Sequence, residues 1–251
     1  MSTRELMMSF YSVRRWNEPA IWNEYFAAME SILDDKLATL DVNDPARRKA
    51  NVAKGEGEFV AHFGELEDGR WMWGKFAKTK IECSIQHYKA GVDSFGRLRN
   101  NAVKFHIPER MALGSGVDNL IRLFASTNAH LSVFYAYGDF ADVISAKRPS
   151  TPSLDIAREL LGVFWLTYFG PHYCDFFTRP RLLALDQATA GPAGGVTLRL
   201  AETPTQVSSE SRASAESDLG ELTFAGHGAE KAPGQYALTL ADLATDTLGR
   251  D

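Results

Sequence analysis

A chain of 251 residues, 45% hydrophobic and 24% charged, has the composition of a folded globular protein with room for a substantial core. That composition excludes whole-chain disorder and a fibrous repeat. The net charge of -5, from 27 Lys and Arg against 32 Asp and Glu, is too mild for charge-driven recognition of nucleic acid or an anionic membrane, and neither is expected as a partner.

In chain order, Leu6 to Trp16 is a β-prone run, and Glu18-Pro19 then opens a helix predicted to reach about Leu40. Ile21, Tyr25, Ala28, Ile32 and Leu33 recur along it at helical spacing and give one buried stripe. Strands are predicted over Trp71 to Phe76, Ile81 to Tyr88 and Ala102 to Ile107. The strict alternation in Val103-Lys104-Phe105-His106-Ile107 buries one face and leaves Lys104 and His106 wet, the signature of an antiparallel sheet open on one side. Ser115 or Asp118 is expected to cap a second helix carrying Val117, Leu120, Ile121 and Phe124, followed by a strand over Leu131 to Tyr137. From Leu154 a helical start leads into an aromatic run that stops at Gly170-Pro171. Without regular βαβ alternation, the fold class expected is α+β, an antiparallel sheet with helices packed mainly on one face.

A compositional break falls near Arg181. Residues 181–251 carry 5 Lys and Arg against 10 Asp and Glu, the whole of the net charge, and only two aromatics, Phe224 and Tyr236. An Ala/Gly/Ser/Thr bias leaves little apolar surface to offset ordering entropy, so a globular domain over 1–180 and an extension over 181–251, partly ordered at most, are expected. Val196 to Leu200 and Tyr236 to Leu240 alternate, and either could add an edge strand. Cys83 and Cys174 read as buried thiols. The opening Met1-Ser2-Thr3-Arg4-Glu5 shows no cleavable leader, and the longest apolar run, Leu160 to Phe169, is about half a membrane span, so the expected location is cytoplasmic.

Catalytic motifs fail on inspection. Gly69-Arg70-Trp71-Met72-Trp73-Gly74-Lys75 has phosphate-loop spacing, but Phe76 stands where a magnesium-binding Ser or Thr belongs, and two tryptophans occupy the place of small residues. A strand with Trp71 and Trp73 on one face explains it better. Gly55-Glu56-Gly57-Glu58 has Val60 in place of the third glycine of a dinucleotide fingerprint and reads as a flexible turn. Gly114-Ser115-Gly116 lacks the glycines two residues either side of a nucleophilic serine. Six scattered histidines make no metal-ligand spacing, so no metal and no cofactor are expected.

Acidic residues cluster instead. Glu56, Glu58, Glu65, Glu67 and Asp68 interleave with Phe59, Val60, Phe63 and Leu66, and Asp139 and Asp142 flank Phe140. These seven are the candidate partner-binding residues: either they line a solvated loop-strand-loop edge, or they form an acidic-aromatic surface for a basic partner.

Leu123-Phe124, Phe134-Tyr135-Ala136-Tyr137-Gly138-Asp139 and the block from Gly162 to Tyr173, with Trp165, Tyr168, Phe169, Gly170 and Pro171, resemble stretches in bacterial immunity proteins of polymorphic-toxin and type VI secretion systems, nearest to the immunity protein 52 kind. The resemblance spans roughly residues 5–180. It implies a non-enzymatic cytoplasmic antidote that binds one cognate toxin, often a nuclease, and blocks its active site or assembly. The aromatic block reads as core. Two other classes stay open: an enzyme or small-molecule binder, which an apolar pocket containing His87, His106 or Cys174 would favour, and a chaperone-like partner of a secretion apparatus.

Overall fold

The computed structural model describes residues 4–66, 69–88, 99–148, 160–220 and 223–224. They divide into two compact units, the first within 1–90 and 99–133, the second from 134 onward. The fold class is α+β, and the strand pairings within each unit are antiparallel.

The first unit contains β1 (Glu5–Ser12), α1 (Pro19–Leu33), β2 (Leu37–Asp41), α2 (Glu56–Leu66), β3 (Trp71–Phe76), β4 (Glu82–Gln86), β5 (Asn101–Pro108), α3 (Glu109–Ala112) and α4 (Val117–His130). Its strands run in the order β2-β3-β4-β5-β1. The alternation read from the sequence holds: Val103, Phe105 and Ile107 are buried, while Lys104 and His106 are half-buried on the opposite face. Trp71 and Trp73 share that second face, their rings stacked 5.9 Å apart with the Lys104 ammonium 4.7 Å from Trp71, so the phosphate-loop lookalike is a strand. The first face carries the helices. Phe10 of β1 meets Phe105 at 5.9 Å and Phe124 of α4 at 5.2 Å, and Tyr25 of α1 shares a 3.1 Å hydrogen bond with Thr127 of α4.

Three local expectations are corrected. α1 ends at Leu33, because Asp34 turns left-handed (φ 46°) and the chain leaves as β2; its buried stripe is Trp22, Tyr25, Phe26, Met29 and Leu33, one residue out of phase with Ile21. The acidic segment 56–66 is a helix. Its inward row is Gly57, Val60, Ala61 and Gly64 at i, i+3, i+4 and i+7, so the apolar stripe is built of small residues and is faint in the sequence. α4 has no serine cap: Ser115 lies in a 3-10 turn (Gly114–Gly116) that runs straight into the helix, and no side chain caps it.

The second unit contains β6 (Tyr135–Phe140), α5 (Ala141–Ala146), β7 (Leu166–Phe169), α6 (Pro171–Phe177), α7 (Arg179–Leu183), β8 (Ala188–Ala190), β9 (Val196–Arg199) and α8 (Ser209–Leu219), with strand order β6-β7-β9-β8. Residue 181 is therefore no boundary, since β9 pairs with β7 along Leu166 to Phe169. Val196 to Leu200 joins the sheet as expected, whereas Tyr236 to Leu240 and the helical start near Ile156 lie outside the described residues. Gly170-Pro171 marks the change from strand to helix, with Pro171 in the first turn of α6. The aromatic block is core: Trp165 and Tyr168 are fully buried and donate to the carbonyls of Ala201 (3.0 Å) and Pro192 (2.9 Å). No helix among the described residues is long and apolar enough to cross a membrane.

Candidate partner interface

The seven candidate acids separate by environment. Glu58 and Glu65 lie one face apart from the inward row of α2 and are exposed, together with His62 between them and Leu66 at the helix end. Spacings of 58, 62 and 65 bring three polar side chains into one line along the outer surface. Among the described residues neither Glu58 nor Glu65 makes an ion pair. Leu66, 66% exposed, is the most exposed large apolar side chain described. Glu67 and Asp68 lie outside the described residues.

Two of the candidates face inward, which corrects their reading as surface charges. Glu56 is 5% exposed; it pairs with Arg48 and accepts the Asn51 N–H at 2.7 Å, so its charge holds the segment before α2. Asp139 is fully buried at the end of β6, accepting the N–H of Phe140 (2.8 Å) and of Trp165 (3.0 Å) and the guanidinium of Arg212 (2.7 Å). Burial without such partners would be prohibitive for a carboxylate, so both serve the fold. Asp142 is exposed in the first turn of α5, in the second unit. The aromatics of the cluster are not surface anchors either. Phe63 is buried, and Phe59 lies half-buried under the Arg48 guanidinium, 3.6 Å from its ring.

At the C-terminal end of α2 the chain makes a cavity of about 220 Å³, lined by Arg15, Asn17, Gly64, Glu65, His87 and Tyr88. Gly64 is what admits the imidazole: a Cβ there would come within 2.6 Å of His87 Nε2. His87 is 3% exposed and meets the edge of the Trp16 ring at 6.1 Å. Three separate segments supply these residues, and nothing in local spacing marks Arg15, Asn17 or Tyr88; of the six, only Glu65 and His87 are candidates from the sequence.

A second cavity, about 670 Å³, includes His106 with Arg4, Glu5, Lys80, Glu82 and Arg110. His106 Nδ1 lies 3.0 Å from Glu5, and Glu82 pairs with Lys75 outside the lining at 2.5 Å. Burial pushes the Cys83 thiol up to about 12 and raises Cys174 too, leaving little thiolate at neutral pH. Both cysteines are free and buried.

No protein-family model matches the chain, and no curated protein matches it significantly. Among solved structures it is similar to the Pseudomonas aeruginosa T6SS (type VI secretion system) protein PA0821, with a TM-score of 0.59 and 14% sequence identity over 96% of this chain and 81% of that chain. At that identity the likeness shows a fold shared with a type VI secretion protein.

Proposed function

We propose that this chain is a non-enzymatic immunity protein that binds one cognate bacterial toxin of a type VI secretion system and covers its active site. The observation that carries the reading is the outer face of α2, where the exposed carboxylates of Glu58 and Glu65, which form no ion pair among the described residues, run up to exposed Leu66. Such a row speeds encounter with a basic surface, and an adjacent apolar side chain supplies contact area once the surfaces meet. A nuclease toxin fits this chemistry, because its substrate groove must be basic to hold phosphates. The fold shared with a T6SS protein supports the same reading.

The test is co-expression in bacteria with the toxin-like product of the neighbouring gene, scoring survival and co-purification together. Rescue with a stable complex is the expected result. Toxicity that persists, with no complex recovered, overturns the reading.

A further inference from the structure

We propose that the cavity beside His87 binds a zwitterionic ligand of amino-acid size, with Arg15 holding its carboxylate and Glu65 its ammonium. This goes beyond toxin binding and does not depend on it. Arg15 lies between β1 and α1, and Glu65 lies near the end of α2, so two different elements bring opposite charges to one cavity. Both side chains belong to exposed residues, and among the described residues neither forms an ion pair with the other or with any third group. A simple anion placed here would meet the Glu65 carboxylate, and a simple cation would meet the Arg15 guanidinium. A ligand carrying both charges on neighbouring atoms satisfies both.

The rest of the lining fits such a ligand. Tyr88 accepts a 2.8 Å hydrogen bond from the Gln86 amide, which leaves its own O–H proton to donate. Asn17 offers both a donor and an acceptor. The floor is fixed, because His87 is wedged between the Trp16 ring and the backbone of Gly64, and a preformed floor lowers the ordering cost of binding. The volume of about 220 Å³ equals that of roughly seven waters at ~30 Å³ each, the bulk of a small or medium amino acid.

The same ends occur singly on peptides: an N-terminal residue presents the ammonium, a C-terminal residue the carboxylate. The experiment is a titration of the full chain with L-alanine and L-leucine, followed through the ring resonances of His87 and Tyr88, beside the N-acetyl and the amide derivatives of each. Saturable shifts with the free amino acids, weakened about tenfold or more by either blocking group, are expected. Arg15→Gln should lose discrimination against the amide, and Glu65→Gln against the N-acetyl form, with melting temperatures unchanged because both sites are exposed. Equal binding of one blocked form overturns the zwitterion in favour of the corresponding peptide terminus. An absence of saturable shifts up to tens of millimolar overturns the site, and leaves the toxin reading standing because no toxin enters the assay.

Discussion

Arg212 of α8 donates through Nε (3.2 Å) and Nη2 (2.7 Å) to a single oxygen of Asp139, a carboxylate with no exposed surface. One helical turn on, Glu216 pairs with Lys147 and accepts the Val163 N–H at 2.7 Å. Two opposite charges at i and i+4 therefore fasten α8 to β6, α5 and the segment before β7. The helix is held by charge pairing where most surface helices are held by an apolar stripe.

Removing one member of this pair strands the other. Arg212→Ala should destabilise the chain by about 3–5 kcal/mol, read from urea unfolding, because Asp139 keeps its charge and loses its partner. Asp139→Asn combined with Arg212→Met should cost clearly less than the sum of the two single changes. Strict additivity in that cycle would show that the pair does not couple.

Close approach at β3 gives a second case. Gly74 sits opposite Cys83 in the β3–β4 register, and a Cβ on it would lie 2.7 Å from the sulfur and 3.3 Å from methyls of Leu37 and Leu40. Gly74→Ala should cost about 1–3 kcal/mol by overpacking, and Cys83→Ala in the same chain should recover part of that loss. Thermal unfolding of the three variants decides it.

How much of this was legible depended on what fills each inward row. β5 alternates large apolar with polar residues, so Val103, Phe105 and Ile107 announced their face, and in β3 the tryptophans at 71 and 73 marked a face opposite Met72. α2 and α8 did not. The row Gly57, Val60, Ala61, Gly64 has too little side chain to register as a stripe, and the row Arg212, Ala215, Glu216, Leu219 is half charged. For the same reason the acidic candidates were over-counted: a sequence shows that Glu56 and Asp139 are charged, but not that Arg48 and Arg212, distant in the chain, meet them inside. The cavity at His87 was out of reach because its walls come from three segments distant in the chain.

Asp35 yields a pH dependence. Burial alone would raise its pKa, but the N–H groups of Thr79, Lys78 and Lys36 and the Thr79 hydroxyl outweigh that and hold its carboxyl below the usual range. A carboxylate depressed in the folded state stabilises the fold above its unfolded pKa, and that contribution is lost as pH falls through the folded value. Asp35→Asn should therefore cost about 1–3 kcal/mol at pH 7, and the gap from wild type should shrink as the pH drops below ~4. A pH-independent gap in denaturant titrations would count against the charged hydrogen bonds.

The α2 surface is tested by separating binding from folding. Glu58→Lys with Glu65→Lys reverses two exposed charges without touching the inward row, so stability should stay within about 0.5 kcal/mol while association with the partner weakens. The loss should be larger at low salt than at high salt, since screening already removes most of the steering when the Debye length shrinks to a few ångströms. Leu66→Ala should also weaken the complex, with a loss that persists at high salt, because the term removed is apolar contact. Glu56→Gln should behave oppositely: it uncouples Arg48 and lowers stability, and the association of whatever remains folded should be unchanged. Equal affinity for wild type and the double reversal, measured by calorimetry at two salt concentrations, would move the interface off α2.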